Sequence, residues 1–206
     1  MSEKKVTLNS ELEPKDAARK RLIVIFSILA VLFTVIIIIV VKNNDLKKER
    51  EQQEIALNLY HISKIQVDLE NLPEALALRM ESLEIQKKLA EQLGTPESNR
   101  KVSASLYAIS CINRDLGNLS EALTFGHECL AIERKVAEQL DAPESYRDIA
   151  TSLFYLSGIQ MKLGNSGEAR ALGMESLAIA RKVAEQSDTV ENHELVDEIE
   201  TFINNL

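Results

Sequence analysis

The sequence predicts an all-α protein: a single N-terminal transmembrane helix, then an α-solenoid of three helix pairs, closed by a C-terminal capping helix. Three observations predict it. Residues 22–41 form an uncharged apolar run, residues 50–187 repeat themselves at an offset of 47, and residues 188–206 carry one apolar stripe at helical spacing. Composition agrees, since aromatics are only 4 % of the 206 residues, Trp is absent, and helix formers such as Leu, Ala, Glu and Lys dominate.

Residues 1–21 are too short for a domain and read as a tail. Residues 22–41, LIVIFSILAVLFTVIIIIVV, hold no charge, amide, Gly or Pro. At helical rise they span about 30 Å, the thickness of a hydrocarbon core. A buried core helix would carry polar residues on some face. A cleaved leader would be followed by a small-residue cleavage site, whereas this run ends Val40-Val41-Lys42-Asn43-Asn44-Asp45. An uncleaved anchor is expected, with residues 42–49 as a short, breaker-free tether. Six Lys/Arg precede the span, among them the abutting Arg19-Lys20-Arg21, against Lys42, Lys47, Lys48 and Arg50 after it. That asymmetry favours a cytoplasmic N-terminus and extracytoplasmic repeats, with cytoplasmic repeats as the alternative.

The repeats begin near Arg50. Leu69-Glu70-Asn71-Leu72-Pro73-Glu74-Ala75-Leu76 returns as Leu116-Gly117-Asn118-Leu119-Ser120-Glu121-Ala122-Leu123, and again from Leu163-Gly164-Asn165 to Glu168-Ala169. The same ungapped offset relates Glu81-Ser82-Leu83, Glu128-Cys129-Leu130 and Glu175-Ser176-Leu177. The units are about 50–96, 97–143 and 144–187, each with two helices. In the middle unit these run roughly from Glu97 to Leu116 and from Ser120 to Leu140. Pro96 and Pro143 open first helices, and Gly117 and Gly164 supply the left-handed residue that ends them. Glu70 stands where that glycine belongs, so a strained or differently capped turn is expected there. Small residues recur where paired helices must approach: Ser63, Ser110 and Ser157 on the first, Ala75, Ala122 and Ala169 on the second, with Ser82, Cys129 and Ser176. Cys129 therefore reads as a packing residue.

This pattern resembles the tetratricopeptide repeat, with its Leu-Gly-Asn-x-x-Glu-Ala-Leu signature and a following Leu-x-Ile segment. The 47-residue period is similar to the extended variant of bacterial repeat proteins and kinesin light chains, and Ser176–Gln186 matches the ESLAI-x-RK-x-AEQ close of the second helix. The resemblance covers about residues 50–187. It departs at Ser63, Ser110 and Ser157, where the family has Gly, and at Gln66, Asn113 and Gln160, where it has Tyr. Both changes imply a more polar helix-pair contact. The resemblance implies first helices that line a concave groove, with Tyr60, Tyr107 and Phe154 pointing into it beside Lys64, Arg114, Asp115, Met161 and Lys162. An aromatic column there suits a bound peptide or partner helix; inter-repeat packing of the rings is the equal alternative. The mixed lining lacks the basic set that clamps a terminal carboxylate.

In residues 188–206, Leu195, Ile199, Phe202, Ile203 and Leu206 form the stripe of a lone amphipathic helix, as a stack's last apolar face requires. No chemistry is legible. His61, His127 and His193 occupy different repeat positions, and there is no nucleophile motif, phosphate loop or metal-ligand spacing. No enzyme activity, cofactor or metal is expected. The two cysteines are too few for a disulfide framework. Residues 42–206 carry 18 Lys/Arg against 28 Asp/Glu, which disfavours nucleic acid. The expected function is that of a membrane-tethered scaffold or assembly factor that binds a protein or peptide partner. The alternative is a regulatory or sensory subunit whose repeats bind a ligand.

Overall fold

In the computed structural model the chain is helical, with backbone described for residues 3–206 and side chains for residue 29 and residues 32–206. Among the described residues seven helices follow in order: α1 (Glu3–Asp68), α2 (Leu72–Leu93), α3 (Pro96–Asp115), α4 (Leu119–Leu140), α5 (Pro143–Lys162), α6 (Ser166–Gln186) and α7 (Val190–Asn204). Two units are distinguishable, residues 1–50 and residues 51–206. In the first, the described side chains 32–48 are exposed. The expected span 22–41 falls in good part on side chains outside the described set. Among the described residues no helix is long and apolar enough to cross a membrane.

The second unit is a helical-repeat stack. It contains the last part of α1, and each later helix packs on its neighbour in the chain. The core recurs in register with the sequence. Leu83, Ala90, Val102, Leu106 and Ile109 cluster in one layer, and Leu130, Ala137, Ile149, Leu153 and Leu156 cluster 47 positions on. The third layer is closed by α7, which buries Ile199 and Ile203 against Ala150 and Ala180, with Leu195, Val196 and Phe202 partly covered.

Paired helices are locked by two side-chain hydrogen bonds per repeat. The Ser63 hydroxyl donates to the Ala75 carbonyl at 2.8 Å, Ser110 to Ala122, and Ser157 to Ala169. In the other direction Ser82 donates to the Ala56 carbonyl at 2.9 Å, Ser176 to Ala150 at 2.6 Å, and the Cys129 thiol to Ser103 at 3.2 Å. All six donors are buried. The expected small residues are thus small for close approach, and polar to satisfy themselves there. A further close approach is at Gly126, where a Cβ would stand 2.7 Å from the Leu156 side chain. The first repeat has Arg79 at this position, 4 % exposed and stacked at 4.1 Å on the Tyr60 ring.

The turns between paired helices are one structure used three times. Asn71, Asn118 and Asn165 donate their backbone N–H to the carbonyls of Gln66, Asn113 and Gln160 at 2.8, 2.8 and 2.9 Å. Their side-chain amides reach back to the same residues' side chains. The departures at Gln66, Asn113 and Gln160 are therefore the other half of a clamp. Gly117 and Gly164 adopt φ of 82° and 79°, and Glu70 takes the same left-handed region at 59°. The first turn is not differently capped: it is the same turn, strained by a side chain.

The two ends differ. The stripe buried in α3 and α5 continues into α1 as Ile55, Ile62 and Ile65, with no repeat before them. Ile62 is 45 % exposed, whereas its equivalents Ile109 and Leu156 are fully buried.

Candidate functional site

First helices of successive repeats are brought side by side by the layered core, and the space between them is an open groove of about 750 Å³. From α3 it takes Glu97, Arg100, Lys101, Ala104 and Tyr107. From α5 come Arg147, Asp148, Thr151 and Ser152, one turn apart on one face. The cap helix supplies Glu191, Glu194, Leu195 and Glu198. The second helix α4 contributes Glu133 at the floor, 9 % exposed. Arg100 crosses between repeats to Asp148 at 3.0 Å.

Electrostatically the floor is its own environment. One Glu133 oxygen lies 3.2 Å from the Cys129 sulfur and shares its single S–H proton with the Ser103 carbonyl, and the other has no hydrogen-bond partner. Burial pushes the Glu133 carboxyl above its ordinary range, with Asp148 adding to the shift and Ser152, Cys129 and Arg100 opposing it. Burial likewise pushes the Cys129 thiol up, which leaves it un-ionised and unreactive. Tyr107 is held up to about 12, chiefly by burial.

Of the eight residues expected in a groove, Tyr107 lines this one. Its ring also meets Tyr155 of the next repeat at 5.0 Å between centroids. Phe154 packs edge-on against Phe202 of the cap at 5.4 Å and opens on a smaller depression with Asp197, Glu198 and Thr201. Tyr60 lies under Arg79. The column is therefore a set of half-buried rings, each stacked on a neighbouring element. Arg114 pairs with Asp115 at 2.9 Å and sits 5.2 Å from the Tyr155 ring, further along α3 than the groove. Lys64, Met161 and Lys162 are exposed near the ends of their helices, outside it. The groove thus lies one to three turns towards the N-termini of α3 and α5 from the expected cluster.

Glu133 escaped sequence reasoning. The available signal was its repeat position, which reads Gln86, Glu133, Ala180: a charge at a site that packing elsewhere fills with alanine. The acids of α7 that line the groove, Glu191, Glu194 and Glu198, alternate with its apolar stripe and in sequence resemble any solvated helix face. On the second helices, charged residues prove to be partners across repeats. Lys87 meets Glu128 at 2.5 Å, Arg134 meets Glu175 at 2.7 Å, and Arg181 meets Glu200 of the cap at 2.7 Å. Among the described residues no group of three His, Cys, Asp or Glu is placed to hold a metal ion.

No protein-family model matches the chain, and no curated protein matches it. Solved structures similar to it include the DHF79 filament, at TM-score 0.41 and 18 % identity over 79 % of this chain and 86 % of that one. The de novo designed helical repeat protein DHR64 gives 0.34 and 18 % over 79 % and 94 %, and the DHF119 filament 0.38 and 17 % over 79 % and 81 %. The repeat architecture of this chain stands on its own recurring core and hydrogen bonds.

Proposed function

We propose that this chain is a membrane-anchored, tetratricopeptide-like interaction module that holds a protein or peptide partner in the groove between α3, α5 and α7. One observation carries the reading: the first helices α3 and α5 of consecutive repeats and the cap helix α7 wall an open groove of about 750 Å³, within the size range of ligand pockets. Its walls are largely charged and polar, suited to fixing the register of an extended or helical segment. The apolar run 22–41 is the anchor in this reading. The heavier positive flank before it places the N-terminus in the cytoplasm, and the repeats outside a bacterial inner or plasma membrane.

A photoreactive amino acid at Lys101, in the groove, should give a defined adduct in native membranes, and the same group at Lys88, outside it, should not. Filling the groove with Ala104→Trp should abolish the adduct while the helical circular dichroism stays intact. Equal adducts from both positions, or one that survives Ala104→Trp, would remove the groove as the partner site. A phosphatase fused after Leu206 should be active, and its silence would place the repeats in the cytoplasm.

A further inference from the structure

Glu133 is a buried carboxyl that the fold does not need. Its repeat equivalent Ala180 is 1 % exposed and fills the same place in the third repeat with a methyl group. Gln86 fills it in the first, also leaving its carbonyl oxygen without a partner. Only in the middle repeat, at the floor of the groove, does the position carry a charge.

That charge lacks a counter-ion. Arg100 is a cation whose charge acts on Glu133, and Arg100 pairs with Asp148 at 3.0 Å. Two carboxyls therefore draw on one guanidinium, and one buried Glu133 oxygen has no partner in hydrogen-bonding geometry, with the Ser152 hydroxyl the neutral donor beside the carboxyl. A buried polar atom in that state calls for a missing partner. The walls repeat the imbalance. The carboxylates Glu97, Glu133, Asp148, Glu191, Glu194 and Glu198 face the cations Arg100, Lys101 and Arg147, six against three. The three acids of α7 stand on one face, at the rim through which an occupant enters.

We propose that the groove recognises a peptide segment by one basic side chain, a lysine or arginine, inserted between the α7 acids and seated on Glu133. The hydrocarbon stem lies along Ala104 and Leu195, the ammonium or guanidinium donates to the Glu133 carboxylate, and Ser152 is at hand as a further acceptor. The last torsion of a glutamate is soft, so a small rotation presents either oxygen to the newcomer. Desolvated in this way, the pair discriminates sharply against an uncharged side chain, since without the cation the buried carboxyl stays unpaired. A metal ion is a poorer match, because a single buried carboxyl does not make a coordination set. The inference rests on the groove being the partner site.

The test uses the full chain in detergent and a displayed library of random twelve-residue peptides. Peptides that bind should share a lysine or arginine at one position of their alignment. For a selected peptide, replacing that residue by norleucine should weaken binding about tenfold in the wild type, the scale of a charge-assisted hydrogen bond. In Glu133→Gln, which retains shape and hydrogen-bonding capacity, the same replacement should change affinity less than twofold. Selected peptides without a common basic residue would overturn the proposal. So would a norleucine penalty that is equal in wild type and Glu133→Gln. Binding without basic selectivity refutes this inference alone, whereas a library that yields no groove-dependent binder refutes the partner-groove reading as well. Thermal melting of Glu133→Gln at or above the wild-type temperature guards against an effect of misfolding.

Discussion

Glu70 offers a measurement of backbone strain with two internal controls. It holds φ of 59° at a turn where Gly117 and Gly164 hold 82° and 79°, with the same hydrogen bonds. Glu70 N–H donates to the Val67 carbonyl at 2.9 Å, as Gly117 does to Arg114 and Gly164 to Met161 at 3.0 Å. Its side chain is exposed. A left-handed L-residue costs about 1–2 kcal/mol. Glycine returns about 0.4–1 kcal/mol of that through its freer unfolded chain. Glu70→Gly should therefore stabilise the repeat unit by about 0.5–1 kcal/mol, or about 1–4 °C in Tm for a unit of this size. The reverse change, Gly117→Glu, should lower Tm by a similar amount, because a Cβ there meets nothing within 4 Å and only the backbone responds. Thermal unfolding followed by circular dichroism reads both. A Glu70→Gly variant that melts at or below wild type would refute the reasoning, and would mean that the Glu70 side chain contributes something its exposure does not suggest.

Other outcomes follow from the packing and the charges. Deleting residues 188–206 should lower Tm by more than 5 °C, since burying each of Ile199 and Ile203 is worth about 1.5–3 kcal/mol before ordering costs; an unchanged melt would show that α7 is no cap. Burial raises the folded pKa of Glu133 above its unfolded 4.5, so the folded state keeps that proton longer. Its contribution is intact below about pH 4.5 and is lost as pH rises through the folded value; Glu133→Gln should raise Tm at pH 7 and lose that advantage near pH 4, as a pH series of melts will tell. The Lys87–Glu128 pair is about two-fifths exposed at both ends, so a double-mutant cycle should give less than about 1 kcal/mol and vanish in 1 M salt.

Much of the fold was legible because the repeat spells it out. The recurrence of Leu83 as Leu130, or Ile109 as Leu156, is a packing requirement stated twice, and the layers fall where the offset puts them. Ser63, Ser110 and Ser157 were readable as small, but not as donors: composition shows size, and only the helix-pair distance shows that a hydroxyl reaches the facing carbonyl. The Gln66, Asn113 and Gln160 departures imply a polar helix-pair contact but not its partners, because the turn asparagines lie five residues on and bond back around the turn. The pocket between α3, α5 and α7 was not legible for a related reason. Tyr60, Tyr107 and Phe154 recur in register, yet rings that large find neighbours on adjoining helices. What remains open to an occupant is the face carrying shorter and charged residues, Ala104, Arg147 and Thr151 among them, which in sequence resembles any solvated helix surface.

The unequal ends of the stack give it a valence. At the C-terminal end α7 covers the last layer with Ile199 and Ile203, whereas Ile55, Ile62 and Ile65 at the other end are exposed, so the two ends are different surfaces. Head-to-tail addition needs two different complementary faces and continues without limit, and α7 occupies the last layer, where a following copy's first helix would have to pack. The exposed stripe can meet its like only through a two-fold axis, where each copy uses the same residues and leaves none free. Pairing through this face alone would join two chains and leave none of the stripe free for a third.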